Sequence, residues 1–246
     1  MDIPKNVVKL IDYSVFCGQL IDYPFANKTL VNTINQYSYC IAQIDSEFKK
    51  ALQGSDILLP DGMSIVAAVR LLSKKKIEKI AGADMHQFLL NNLNKKGGRC
   101  FYLGSSPTTL NKIAQRLSLD FPYIKVNTFS SFTPEFTSIQ NQEMINAVNN
   151  FKPDVLFIGM TAPKQEKWAF KNKNQLDAKI ICSIGAVFDF YAGTVVRPHP
   201  FWINLRLEWF IRLLKEPKRM WKRYLYYGPI FIISILTKKI KMNKIG

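Results

Sequence analysis

Asp61 is a lone carboxylate on a turn: it follows the apolar run Ile57-Leu58-Leu59-Pro60 and precedes Gly62. That places it at the carboxyl end of a strand. A carboxylate partly removed from water there binds its proton more tightly, toward the working pH, and could act as a general base. The same position also suits an N-cap for a helix beginning near Ser64, and position alone favours the cap. No second carboxylate sits beside it in sequence, so the paired acids of glycoside hydrolysis are not suggested locally. A second candidate is Gly104-Ser105-Ser106-Pro107, which follows a strand and opens a helix. Ser106 is placed as N-cap and Pro107 at the first helical position, where its missing N-H costs nothing. Free backbone N-H groups there, with the helix dipole, could hold a diphosphate; an ordinary βα turn carries the same residues equally well.

Absences narrow the chemistry. There is no Gly-Lys-Ser/Thr phosphate loop and no Gly-x-Gly-x-x-Gly fingerprint, so a nicotinamide-dependent oxidoreductase of this general fold lacks its expected turn. There is no Asp-x-Asp, the carboxylate pair with which many sugar-nucleotide enzymes hold a divalent cation, so metal independence is expected. The two histidines, His86 and His199, have no metal-ligand spacing. Cys17, Cys40, Cys100 and Cys182 lie far apart with no Cys-x-x-Cys pair, which fits a reducing compartment. Met1 to Leu10 has mixed charge and no secretory pattern, so an intracellular protein is expected.

The elements that must position these residues alternate. Apolar strand-like segments at Ile57–Leu59, Arg99–Leu103, Val155–Ile158 and Lys179–Ile184 are separated by helical patterns at Ile34–Leu52, Ser64–Leu72, Asp84–Asn94, Pro107–Leu117, Glu135–Phe151 and Lys164–Asn172. This predicts an α/β body with a Rossmann-like parallel sheet and helices on both faces. In such a sheet ligands bind beyond the carboxyl ends of the strands. The residues to question are therefore Asp61, the Gly104 turn, the stretch Gly159–Glu166 and the stretch Gly185–Asp189.

Charge divides the chain. The net charge is +16, yet residues 197–246 carry twelve Lys or Arg against Glu208 and Glu216. Three of the four tryptophans, Trp202, Trp209 and Trp221, fall in the same tail. Cations mixed with amphipathic aromatics suit an anionic membrane surface. A core helix with a solvated basic face is the plainer reading, and nucleic acid the third. The longest apolar run, Leu225–Leu236, is twelve residues and contains Gly228 and Pro229, too short for a bilayer that needs about twenty. A boundary near Val196 is expected, with an α/β catalytic body at 1–195 and a basic helical appendage at 196–246, broken near Pro217.

The segments Thr33-Ile34-Asn35, Leu59-Pro60-Asp61-Gly62-Met63-Ser64, Gly82-Ala83-Asp84, Phe101-Tyr102-Leu103-Gly104, Ala162-Pro163-Lys164-Gln165-Glu166-Lys167-Trp168, Gly185-Ala186-Val187-Phe188-Asp189 and Leu207-Glu208-Trp209 are spread along most of the chain. In this order they resemble the WecG/TagA/CpsF glycosyltransferases, glycosyltransferase family 26. The resemblance implies an inverting, metal-independent, cofactor-free transferase. It would pass an N-acetylmannosamine-type or glucose-type sugar from a UDP carrier to a polyprenyl-diphosphate-linked saccharide. The setting would be teichoic acid, enterobacterial common antigen or exopolysaccharide synthesis at the cytoplasmic face of the membrane. A homo-oligomer is left open, and no nucleic acid partner is expected. The family's base maps onto Asp61. Thr33 and Gln165 map near the donor sugar and diphosphate. Asn35, Gly104, Ser105, Lys164 and Asp189 are further pocket positions. Arg212 and Arg219 map onto a C-terminal appendage that closes over the site, with Lys222 or Arg223 as the next cation. Two departures stand out. Lys79 occupies a position that is commonly Arg, keeping the charge but losing the two-pronged fork. Ser130-Ser131-Phe132 replaces an Asp-Gly-Tyr-Phe stretch, altering the loop implied to contact uracil.

Overall fold

The computed structural model describes residues 6–22, 28–131, 136–196, 199, 201–202, 205 and 207–245, with the backbone alone for Asp22, Arg219 and Ile245. Its centre is a six-stranded, all-parallel sheet: β3 (Thr29–Ile34), β4 (Ile57–Pro60), β5 (Arg99–Gly104), β6 (Lys125–Phe129), β7 (Val155–Gly159) and β8 (Ile180–Ser183). They lie in the order β4-β3-β8-β7-β5-β6. A separate antiparallel hairpin, β1 (Val7–Leu10) with β2 (Tyr13–Phe16), precedes them. The four predicted strands are present. β7 is buried at all five positions, as a strand covered on both faces requires.

Helices run between the strands: α1 (Gln36–Ala42), α2 (Ser46–Gln53), α3 (Met63–Ser73), α4 (Gly82–Lys96), α5 (Pro107–Asp120), α6 (Ser138–Phe151), α7 (Lys164–Asn172) and α8 (Val187–Tyr191). The single helix expected over Ile34–Leu52 is corrected to the end of β3 followed by α1 and α2. Asp45 makes the division, because its Oδ1 accepts the Phe48 N-H at 2.9 Å and caps a new helix. Asn35 caps α1 likewise, accepting from Ser38 N at 3.0 Å. α6 was expected from Glu135, a residue outside those described; its cap is Thr137, paired with Gln140 in a capping box.

Three apolar clusters hold these layers together. One lies between the sheet and α4, α5 and α8, including Tyr102, Leu110 and Phe188; another lies on the opposite face with α6 and α7, including Ile145 and Trp168. The third joins the hairpin, α1 and α3 to the tail.

The tail forms α9 (Glu208–Lys215), α10 (Pro217–Trp221), a π-helical turn (Lys222–Tyr226) and α11 (Tyr227–Ile245). Glu216, with φ −130° and ψ 59°, interrupts the helix just before Pro217, as the clash of a proline with the preceding turn requires. The expectation of two short helices is extended by the π-turn and by the long α11. α11 lies against α1: Phe231 and Ile235 are buried, the Tyr39 and Ser234 hydroxyls are 3.1 Å apart, and the Phe231 and Tyr39 rings meet edge-on at 5.1 Å. Among the described residues no helix is long and apolar enough to cross a membrane.

Candidate active site

The carboxyl ends of β3, β8, β7 and β5 open onto a chamber of about 720 Å³. Each strand delivers its predicted residues there by simple continuation. β3 runs into Thr33 and then Asn35, whose side chain caps α1. β5 runs into Ser105. β7 runs into Gly159 and Met160, after which α7 begins with Lys164 and Gln165. β8 runs into Gly185 and α8, which carries Asp189. A second chamber of about 760 Å³ adjoins it, walled by Met63, Val66, Ile77, Trp209 and Tyr224, with Lys79 at its edge. Both volumes fall within the range of small-molecule sites. Asn35, Tyr37, Asp61, Glu208, Arg212 and Arg223 line both chambers and so form the wall common to the two.

Asp61 does not cap α3. The cap is Gly62, at φ +137° with no side-chain bond to the helix, so the carboxylate faces the shared wall. The conformation at Gly62 belongs to glycine. Around it, the Asp61 N-H donates to Ile34 O at 2.9 Å, and the Ser64 hydroxyl donates to Gln36 Oε1 at 2.6 Å, tying the starts of α1 and α3 on either side of the turn. Burial pushes the Asp61 carboxyl up to about 6; Glu208 and Asp84 add to the rise, while Lys79 and Arg212 pull it back. A carboxyl in that range is ionised often enough near neutrality to accept a proton, and basic enough to hold it.

The Gly104 turn differs from the expectation in one respect. Ser105 reaches the chamber wall and Gly104 does not. Gly104, at φ +102°, lies so close to β7 that a Cβ would meet Gly159 O at 2.7 Å. Its role is to let two strands converge and to turn the chain toward Ser105. Ser106 caps α5 as expected, accepting Thr109 N-H at 3.2 Å with Pro107 at the first helical position. The Ser130 hydroxyl donates to Ser105 O at 2.9 Å, and Ser131 bridges Ser105, so this stretch closes on the turn. Phe132 lies outside the described residues.

Gln165 is held from two sides. Its Oε1 accepts Met160 N-H at 3.2 Å and its Nε2 donates to Glu166 Oε1 at 2.8 Å, and both side chains are buried. Gly185 makes room for that amide: at φ +46°, a Cβ there would stand 3.1 Å from Gln165 Oε1. Glu166 was quoted above only as part of a motif. The structure puts it on the chamber wall, with burial pushing its carboxyl up to about 7 against the opposing pull of Gln165, of its own backbone N-H and of Arg223. The signal was a second polar residue beside Gln165 at the start of a helix whose buried face also carries Trp168, Ala169 and Asn172. Lys164 stacks over the Phe136 ring with its Nζ 3.5 Å from the centroid.

The tail supplies the remaining walls. Lys79 pairs with Glu208 at 2.9 Å, docking α9 beside the second chamber. Arg212 lies over Phe190 at 5.3 Å and Arg223 over Tyr37 at 4.7 Å, which points both guanidinium groups at the shared wall. Lys222 is a correction: it is exposed, sits over Trp221 at 5.7 Å and lines neither chamber. The π-turn rotates the chain so that Arg223, not Lys222, is the inward cation. Arg219 falls on α10, and its side chain is not described. Among the described residues no group of three or more His, Cys, Asp or Glu is gathered as a metal site.

Comparison with known proteins identifies the family of the chain. An N-acetylglucosaminyldiphosphoundecaprenol N-acetyl-beta-D-mannosaminyltransferase of Bacillus subtilis (strain 168) is 29% identical over 235 residues, covering 96% of this chain and 88% of its own length. Proteins of the same name from Bacillus spizizenii (28%, 79% and 74%) and Staphylococcus aureus strain MW2 (24%, 92% and 80%) are also similar. The profile of the Glycosyl transferase WecG/TagA/CpsF family matches residues 4–245, nearly the whole chain. The chain therefore belongs to the WecG/TagA/CpsF family and is a glycosyltransferase.

Proposed function

We propose that this enzyme transfers N-acetylmannosamine from a UDP carrier to a polyprenyl-diphosphate-linked N-acetylglucosamine, with inversion and without a metal ion. The acceptor and the sugar follow the names of the similar proteins. The observation that carries the reading is Asp61 on the wall common to two chambers. The donor occupies the first chamber, among Thr33, Asn35, Ser105, Lys164, Gln165 and Asp189. The acceptor sugar enters the second, beneath Trp209 and Tyr224, where apolar surface suits a lipid-linked substrate. Asp61 removes the proton from the acceptor hydroxyl as that oxygen attacks the anomeric carbon from the face opposite the leaving UDP, which inverts the centre. Arg212 and Arg223, with the fixed Gln165 amide, offset the charge that grows on the departing diphosphate. Preorganised donors aimed at developing charge usually contribute more than any other single effect.

The tail fits the surface of an anionic bilayer. Ile232, Ile233, Leu236 and Ile240 are exposed on α11, whose C-terminal half carries Lys238, Lys239, Lys241 and Lys244, and Trp202, Trp209 and Trp221 are partly exposed before them. Such a segment lies in the interface, its aromatics at headgroup depth and its cations on lipid phosphates. We place the enzyme as a peripheral protein on the cytoplasmic face, where nucleotide sugars are made. The test is UDP release from a panel of UDP-sugars with a lipid-diphosphate N-acetylglucosamine analogue, followed by NMR assignment of the new linkage. Turnover with UDP-N-acetylmannosamine and a β-linked product is expected. A retained anomeric configuration, or no preference for that donor, would overturn the corresponding part of the scheme.

A further inference from the structure

We propose that Glu166 works protonated, as the residue that both locks the Gln165 amide and donates a hydrogen bond to an oxygen of the nucleotide-sugar donor. The proposal rests on the first chamber being the donor site. Its ground is an imbalance within one carboxyl group. Glu166 is 2% exposed, and its two oxygens have different fates: Oε1 accepts from Gln165 Nε2 at 2.8 Å, whereas Oε2 is buried with no hydrogen-bond partner. A buried carboxylate oxygen without a partner is costly. A protonated carboxyl offers an O-H from the same position, and because Glu166 lines the chamber a donor oxygen can receive it.

The surroundings favour the protonated form. Met160 N-H is taken by Gln165, so it does not serve Glu166. The cation that pulls against its protonation is Arg223 from the π-turn, whose guanidinium stacks on Tyr37. From the other elements Asp61, Asp189 and Glu208 bring negative charge to the same chamber, while Lys164 and Arg212 bring positive charge. On the outer side of α7, Lys167 is engaged with Asp45 at 2.7 Å and Glu47 at 3.4 Å. Burial outweighs the combined pull of the Gln165 amide, of Glu166's own backbone N-H and of Arg223, and the carboxyl titrates near neutrality. Below that range the O-H is present; above it, Glu166 becomes an anion beside an anionic diphosphate and the contact turns repulsive.

Glutamine is the discriminating substitution, since its amide oxygen can still accept from Gln165 and its NH₂ can still donate. Glu166→Leu is expected to lower kcat/KM for UDP-N-acetylmannosamine roughly tenfold or more, the order expected for losing one donated bond while stranding the Gln165 amide. Glu166→Gln is expected to recover most of that loss. The wild-type pH profile of kcat/KM, which reports the free enzyme, should be bell-shaped: Asp61 sets the acid limb near 6 and Glu166 the alkaline limb near 7. In Glu166→Gln the alkaline limb should vanish while the acid limb stays. If a folded Glu166→Gln is as impaired as Glu166→Leu, or keeps the alkaline limb, the proposal is wrong. If Glu166→Leu does not fold, the glutamine profile alone decides. Calorimetric binding of UDP to the wild type checks the donor chamber separately: its absence sinks the donor assignment, whereas normal binding with a failed glutamine rescue sinks only the role of Glu166.

Discussion

Replacing Asp61 by Asn should make the protein more stable and nearly inactive at once, and the size of the first effect can be worked out. The carboxyl is raised from 3.8 to about 6. Each pKa unit corresponds to about 1.36 kcal/mol, so ionising Asp61 in the folded protein costs up to about 3 kcal/mol. The group opens onto a chamber, and solvent there reduces the figure to roughly 1–3 kcal/mol. Below pH 3.8 the carboxyl is protonated in both folded and unfolded chains and costs nothing. Between 3.8 and 6 the unfolded chain binds fewer protons than the folded one, so stability falls as pH rises. Above 6 the whole penalty is present. Asn removes it. For a chain of this size each kcal/mol moves Tm by about 2–4 °C, so the variant should melt roughly 2–12 °C above wild type at pH 7.5, with the gap closing toward pH 4. The assay is a pair of melting curves at the two pH values beside UDP release from the donor at pH 7.5. An equal gap at both pH values would refute the burial argument, and wild-type turnover would refute Asp61 as the base.

Four further outcomes are expected. Transfer should persist in excess EDTA, and restoration of a chelator-abolished activity by Mg²⁺ or Mn²⁺ would overturn the metal-free scheme. Arg212→Ala should lower kcat on the order of 10²-fold while binding to anionic vesicles in a sedimentation assay changes little; Lys222→Ala, outside both chambers, should spare kcat. Gly104→Ala should cost at least ~2 kcal/mol by denaturant melts, because its Cβ would meet the Gly159 carbonyl at 2.7 Å in a backbone already at φ +102°. Phe231→Ala should destabilise the protein by roughly 3–5 kcal/mol, measurable as a lowered unfolding midpoint, since its ring is 3% exposed against Tyr39.

Legibility followed the local pattern. β7, apolar throughout, and α7, whose bounds Lys164–Asn172 match the expectation, could be read because neighbouring residues alone determine them. β3 could not: Asn32 interrupts its apolar run, and the Ser55 hydroxyl that accepts from its Nδ2 at 2.9 Å lies on a distant stretch of chain. β6 is an edge strand with Lys125 and Asn127, so it carries little hydrophobic signal. The site residues on strand ends were legible because a parallel sheet collects its carboxyl ends in one crevice. The choice between Lys222 and Arg223 was not, because it turns on a π-helical register that neither residue reveals. Glu166 was passed over because a charged residue on a helix is ordinarily solvated, and its burial comes from Gln165 and from elements far along the chain.

The union of α11 with α1 bears on how members of this family can be recombined. Graft experiments commonly treat a C-terminal targeting segment as an exchangeable cassette. Here the seam runs through an aromatic and hydroxyl contact, Phe231 and Ser234 on Tyr39, while Cys40 Sγ meets Tyr227 O at 3.6 Å. The receiving helix, α1, is capped by Asn35, which faces both chambers. A chimera carrying a foreign tail would therefore need its matching Gln36–Ala42 segment, and replacing that segment moves a wall common to both chambers.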